Sequence, residues 1–295
     1  MHMKEYIAFD IDDTVIRYGI IGEHADIFFQ DRTPTPAEGG PGIVDTVLSL
    51  IEEMKARCRP EGVCISTAGF VDALHGYVYY APESMPGYTG TDWKKLVESG
   101  CGLPCEAENN VNCIGLAEYT SGAAINASSC LCLSAGDVVG GCFLIDGKVW
   151  HGYAMSACQI GYLPMYGSTF STLASSGALV RKVAAIKGTL GLNWNEEKIF
   201  DEAMKGDRDC IEAIDAMCDV LGRGISTICY VINPEIVVLC GGLVASHHSL
   251  LPKIRASMEK YLIDPITSSS FIATGAHTRQ AGLLGAFYHY KNSRD

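Results

Sequence analysis

Carboxylates crowd one short turn of this 295-residue chain: Asp10, Asp12 and Asp13 stand in Phe9-Asp10-Ile11-Asp12-Asp13-Thr14, directly after an apolar run. Unit charges about 4 Å apart at an effective dielectric near 20 repel by about 4 kcal/mol, so such a turn resists an approaching anion unless a cation bridges it. Further along, Asn109 and Asn110 are two amides that can hold a hydroxyl but cannot take a proton at neutral pH. The plainer reading of that pair is a turn leading into a helix. Gly136-Asp137-Val138-Val139-Gly140-Gly141 sets another carboxylate among glycines of the kind that let backbone N–H groups close on a ligand, and a simple hairpin turn accounts for it equally well. Gln159, in Gln159-Ile160-Gly161-Tyr162, is a further amide able to bind hydroxyls. Metal chemistry has little support, because Cys101 and Cys105 have no His or second Cys pair close by. His247-His248 reads as a solvated helix start with no neighbouring carboxylate, and Lys94-Lys95 and Arg181-Lys182 read as solvated faces.

The elements that must position these residues follow from periodicity. Tyr6–Phe9 and Val15–Ile21 form a hairpin around the acidic turn. Past a Pro/Gly-rich stretch at 33–42, apolar residues at 43, 44, 47, 48, 51 and 54 mark a helix. Val63–Ser66 is a buried-type strand entering the loop Thr67–Asp72, and Tyr77, Tyr79 and Tyr80 lie on another strand. Asp92 caps a helix from Trp93. Pro104–Ala107 is a short strand, Glu108-Asn109-Asn110 a polar turn, and Val111–Tyr119 a helix. The second half repeats the plan: strand Leu131–Ser134, the glycine-bearing turn 136–141, strand Cys142–Ile145 and a hairpin turn at Asp146-Gly147. Helices follow at 175–187, 196–205 and 209–232, then strand Ile236–Cys240 running into Gly241-Gly242, and a closing helix at 281–290. Two similar blocks imply two α/β domains with a cleft between them.

In this order and spacing the segments resemble the bacterial sugar-kinase and repressor family known as ROK, a branch of the actin-like ATPase (ribonuclease H-like) fold that includes the hexokinases. The resemblance runs nearly end to end, through Asp10–Thr14, Ser66–Asp72, Glu108–Asn112, Gly136–Gly141, Gln159–Tyr162, Cys240–Gly242 and Ala281–Ala286. It implies a two-domain α/β protein, with residues 1–118 and 278–295 in the first domain and 119–277 in the second. Family members bind Mg-ATP and a hexose and move the γ-phosphoryl to a sugar hydroxyl, the protein supplying positioning, charge stabilisation and a base. By resemblance Asp10, Asp12, Asp13, Thr14, Gly136, Asp137, Gly241 and Gly242 belong to the nucleotide side. Gly69, Asn109, Asn110, Gln159 and Tyr162 face the sugar, and Asn110 occupies the base position.

Four departures from the family pattern stand out. The phosphate hairpin reads Asp-x-Gly-Gly-Thr in the family, but both glycines are replaced here by Asp12 and Asp13. The base, an Asp in Glu-Asn-Asp, is Asn110, and a positioned base is worth roughly 10²–10⁴ in rate. The second phosphate loop, Gly-Thr-Gly, is Gly136-Asp137-Val138. The sugar clamp Glu-x-Gly-His is Gln159-Ile160-Gly161-Tyr162, and the family's zinc loop has no counterpart, since 161–179 holds neither Cys nor His. Phosphate handling and proton removal are hit, while hydroxyl-binding capacity survives. The expectation is therefore a kinase fold that binds a hexose or glycoside and has lost efficient phosphoryl transfer, needing no cofactor and no structural zinc. An active ATP-dependent hexose or glycoside kinase is the alternative, with Mg-ATP as co-substrate, and a sugar-sensing regulator is a further one.

Phe9–Val15 also resembles the Asp-x-Asp-x-Thr nucleophile motif of haloacid-dehalogenase-like phosphatases, in which Asp10 would attack phosphate and Asp12 act as acid and base around Mg²⁺. That reading fails at Gly140 and Gly141, where its late metal-binding acid pair would need an acid after Asp137. Composition narrows the partners. With 22 Lys and Arg against 34 Asp and Glu the formal charge is −12, which disfavours nucleic acid and anionic membranes. A first strand beginning by about Tyr6 leaves no room for a DNA-binding segment ahead of it, and the residues from Met1 make no signal-peptide core. Thirteen Cys scattered in apolar segments read as reduced buried thiols of a cytoplasmic protein. A homodimer is what the resemblance implies.

Overall fold

The computed structural model describes residues 3–294, so Met1, His2 and Asp295, the outer limits of the expected first domain, lie outside the described residues. The chain forms two compact units, 1–120 with 149–157 and 279–295, and 121–148 with 158–278.

The first unit opens with β1 (Glu5–Ile11), β2 (Val15–Gly22) and β3 (Ile27–Pro34), continues through α1 (Gly40–Lys55), β4 (Pro60–Thr67), β5 (Phe70–Asp72) and β6 (Tyr77–Tyr80), and closes with α2 (Trp93–Cys101), β7 (Cys105–Asn109) and α3 (Asn110–Ser121). Its main sheet has the order β3-β2-β1-β4-β7, with β1 antiparallel to β2 and parallel to β4. The central strand is buried on both faces, which is why it reads as a continuous apolar run. Ile7, Phe9 and Ile11 pack with Ile43, Val47 and Ile51 of α1 and with Trp93 and Val97 of α2. Tyr6 and Ala8 point the other way, against Phe287 and Tyr290 of the C-terminal helix (Ala281–Arg294). Each such fully buried large side chain contributes about 1.5–3 kcal/mol. Asp92 caps α2 as expected, its Oδ1 accepting from the Lys95 N–H at 3.0 Å.

The second unit holds β8 (Ser129–Ala135), β9 (Val139–Ile145), β10 (Lys148–Val149, at the junction), β11 (Pro164–Met165), β12 (Ser168–Thr169), α4 (Phe170–Ala174), α5 (Ser176–Ile186) and α6 (Glu196–Met204). It ends with α7 (Arg208–Ile232), β13 (Ile236–Cys240), α8 (Gly242–Ser246), α9 (Leu250–Tyr261), α10 (Asp264–Ser269) and β14 (Phe271–Thr274); the C-terminal helix is α11. The sheet order β10-β9-β8-β13-β14 repeats the plan of the first: β9 is antiparallel to β8, and β8, β13 and β14 run parallel. The turn 136–138 between β8 and β9 is thus the topological counterpart of the turn 12–14 between β1 and β2. Helix α7 spans 25 residues and stops at Asn233, whose left-handed φ of 42° precedes Pro234.

Several expectations need correction. Strand β3 has no counterpart in the sequence pattern, because an edge strand carrying Gln30, Asp31 and Arg32 lacks apolar alternation. Gly140 and Gly141 belong to β9 rather than to a turn, and a Cβ at Gly141 would meet Ile160 Cδ1 at 2.7 Å. Glu108 and Asn109 finish β7 and Asn110 begins α3, so the polar turn is a strand-to-helix junction without a loop. Lys94 is not a solvated residue: its Nζ lies 2.6 Å from the buried Glu106 carboxylate. His247 does have a carboxylate neighbour, Glu196 at 3.0 Å, and its ring stacks on Phe200 with centroids 3.5 Å apart.

Candidate functional site

In the first unit the amide pair sits where β7 passes into α3. Asn109 acts as the cap, its Oδ1 accepting from the N–H of Val111 at 2.9 Å and of Asn112 at 3.2 Å. Its Nδ2 donates to the Gly69 carbonyl at 2.7 Å, which ties Asn109 to the segment before β5. Gly69 has φ +100°, and a Cβ there would meet the Tyr80 carbonyl oxygen at 2.5 Å, so only glycine fits. Counting donors and acceptors, Asn109 retains one N–H. Asn110 uses its Oδ1 on the Val111 N–H at 2.9 Å and keeps both amide hydrogens without a partner among the described residues. The pair is thus rich in donors and has little acceptor capacity left.

Glu108, just before them, is fully buried. Its Oε1 accepts from the Asn109 N–H at 2.7 Å and from Asn112 Nδ2 at 3.0 Å, and its Oε2 lies 2.5 Å from His151 Nε2 and 3.8 Å from His289 Nδ1. Burial alone would push the Glu108 carboxyl up, but the His151 hydrogen bond, the charge of His289 and the bond from Asn112 outweigh it and hold it below the usual carboxylate range. Burial works against the His151 cation, yet the Glu108 bond and charge, with Asp72 beyond, raise its pKa above the ordinary value. Deep burial pushes His289 down, and its Nε2 has no hydrogen-bond partner among the described residues. His151 reaches this place because 149–157 belongs to the first unit, where Tyr79 Oη donates to the Ala154 carbonyl at 2.8 Å. Sequence reasoning missed this group. Glu108 closing an apolar strand was the one local sign, whereas nothing near His151 marks a partner 43 positions away.

The acidic hairpin lies in the same unit. Asp10, at the end of β1, accepts from Ser66 Oγ at 2.7 Å and pairs with Arg17 at 3.4 Å. Burial raises its pKa against both partners. Gly282 of α11 abuts that carboxylate so closely that a Cβ would fall 2.2 Å from Asp10 Cγ. In the turn, Asp12 Oδ1 accepts from the Asp13 backbone N–H at 2.9 Å, so a side chain occupies the amide that a glycine would leave open. Burial, with the charges of Asp10 and Asp13, drives the Asp12 carboxyl up to about 6, the Asp13 N–H acting against them. Asp13 and Thr14 are exposed, and the Thr14 carbonyl accepts from the Thr35 N–H at 3.1 Å.

In the second unit, Gly136 N–H donates to the Val138 carbonyl at 3.2 Å, and its own carbonyl accepts from the Ser176 N–H at the start of α5 at 2.8 Å. Asp137 and Val138 are exposed at the tip. Gly241 packs on the Ala135 backbone, and Gly242 opens α8 with its nitrogen 4.0 Å from a Cβ built at Gly136. The residues assigned to this phosphate loop therefore come together. Beside them Ser176 Oγ donates to Glu196 at 2.6 Å, whose other oxygen faces His247. Gln159 precedes the 3₁₀ turn Ile160–Tyr162, its carbonyl accepting from the Tyr162 N–H at 3.1 Å, and Tyr162 is exposed.

The model of the ROK family matches residues 6–293. The chain belongs to the ROK family. It is 38% identical over 292 residues, 99% of either chain, to an uncharacterized protein of Clostridium perfringens (strain 13 / Type A). It is 25% identical over 292 residues to the beta-glucoside kinase of Klebsiella pneumoniae, covering 96% of this chain and 95% of that one. Its structure superposes on the ROK hexokinase of Thermus thermophilus with a TM-score of 0.85 over 99% of each chain at 23% identity, which establishes the actin-like ATPase fold. The matching position of the ROK zinc loop does not fit a zinc ion: 161–179 forms the β11–β12 ribbon, α4 and the start of α5 and offers no Cys or His donor.

Proposed function

We propose that this ROK protein binds a hexose or glycoside through Asn109 and Asn110 and has lost efficient phosphoryl transfer from Mg-ATP. The observation that carries the reading is the 2.9 Å bond from the Asp13 N–H to Asp12 Oδ1. The amide a phosphate would need is satisfied internally by a carboxylate, and a triphosphate would have to displace that negative group and then sit beside Asp10, Asp12 and Asp13. Asp137 at the tip of the β8–β9 turn adds a further charge on the expected second phosphate loop. At the expected base position Asn110 offers amide hydrogens and no proton acceptor of useful basicity.

The reading includes a homodimer, a sugar as the small-molecule partner, no nucleic acid and a cytoplasmic location; the charge of −12 supports the second-last of these. Among the described residues no helix is long and apolar enough to cross a membrane. An ATP-coupled assay across glucose, N-acetylmannosamine, fructose and β-glucosides tests it. Turnover should fall at least about 10²-fold below the roughly 1–100 s⁻¹ of working kinases, the smallest loss that removal of a base brings. A sugar phosphorylated at ordinary rates overturns the reading in favour of an active kinase.

A further inference from the structure

The donor and acceptor count at the amide pair leaves a gap. A sugar hydroxyl held there can accept from Asn110 Nδ2, but its own proton meets little acceptor capacity: Asn109 Oδ1 already serves Val111 and Asn112, and Asn110 Oδ1, which serves Val111, keeps one weakly basic lone pair. Both Glu108 oxygens are likewise engaged, by Asn109, Asn112 and His151. His151 is the neighbour with capacity to spare. Its side chain is 25% exposed against 0% for Glu108, Nε2 faces the carboxylate, and Nδ1 makes no hydrogen bond among the described residues. With Nε2–H donating to Glu108, the neutral imidazole presents the Nδ1 lone pair outward.

Building on the sugar-binding reading, we propose that His151, held by the buried Glu108, is a sugar-binding residue whose Nδ1 accepts the hydrogen bond from a sugar hydroxyl at the Asn109-Asn110 pair. Glu108 then has two tasks: it fixes the β7–α3 junction through Asn109 and Asn112, and it fixes the tautomer and orientation of the imidazole. The groups facing His151 are Glu108 from β7, Asp72 from β5 with His75 bonded to it at 2.8 Å, and His289 from α11. Burial opposes the imidazolium and the two carboxylates favour it. Once protonated, Nδ1 becomes a donor and the acceptor is lost, so sugar affinity falls as pH drops through the His151 pKa, which lies above the ordinary histidine value.

Calorimetric titration of glucose, N-acetylmannosamine and cellobiose into the full-length protein between pH 5.5 and 8.5 tests this. The wild type should lose affinity as pH falls, by up to about tenfold in all, one hydrogen bond's worth. His151→Gln, which keeps a non-titrating acceptor, should bind with a flat pH profile, and His151→Ala should bind up to about tenfold more weakly at pH 8, the effect of one lost hydrogen bond. Histidine NMR of the wild type, independent of any variant's folding, should show the His151 pKa drop on adding the bound sugar. A wild type that binds sugar with no pH dependence, or an undiminished His151→Ala, overturns the inference and leaves the sugar-binding reading standing. A wild type that binds none of these sugars at any pH removes both.

Discussion

At the scale of single residues, the chemistry of this ROK protein turns on what each side chain can still give or accept. Asp12 is held up near pH 6 by burial and by its acidic neighbours. A carboxyl whose folded pKa exceeds its unfolded value contributes stability that is complete below about pH 4 and lost as pH rises through about 6. Asp12→Asn, which keeps the bond to the Asp13 N–H, should therefore leave urea stability near pH 4 unchanged. At pH 7.5 it should raise stability by up to about 3 kcal/mol, at about 1.4 kcal/mol per unit. Asn110→Asp alone should not restore kinase turnover in a coupled assay, because the carboxylates of both phosphate turns remain. The acidic hairpin and the Asn109-Asn110 pair were legible as chemistry because each lies within five consecutive positions. The Glu108–His151 pair was not, since only the packing of 149–157 onto the first unit joins it.

At the scale of elements, a turn and an ion pair carry the clearest tests. Gly69→Ala would force a Cβ to 2.5 Å from the Tyr80 carbonyl at a φ of +100°, displacing the carbonyl that holds Asn109. Denaturant unfolding should show a loss of about 1–3 kcal/mol from strain of this kind, together with weakened sugar binding. Lys94→Met should cost about 1–3 kcal/mol by leaving the buried Glu106 with Arg294 as its remaining partner at 3.0 Å. Strands β1, β4, β8 and β13 and helices α1 and α7 could be read from sequence because burial imposes an apolar pattern on them. The edges β3 and β14 and the short α8 and α10 could not, because half-exposed elements place no such demand on their residues. Lys94-Lys95 shows the same limit from the other side: a charged pair on a helix looks solvated until the partner strand supplies a buried carboxylate.

At the scale of the whole molecule, one sheet plan is used twice, β3-β2-β1-β4-β7 and β10-β9-β8-β13-β14, and in each the first hairpin turn carries the residues that resemblance assigns to phosphate. Both turns carry acid: Asp12 and Asp13 in one, Asp137 in the other. The determinants of the fold, the buried central strands and the helices packed on them, are separate from these turns. A bound sugar should stabilise the fold by mass action, by about 2.7 kcal/mol at one hundred times its Kd, and so raise the melting temperature, while Mg-ATP should not.

The most direct test is calorimetric titration of Mg-ATP into the wild type and into Asp12→Gly/Asp13→Gly, with a sugar shown to bind both. The account predicts no nucleotide binding by the wild type up to millimolar concentration and recovered binding when the two carboxylates are replaced by glycine. Micromolar binding of Mg-ATP by the unaltered protein would contradict it.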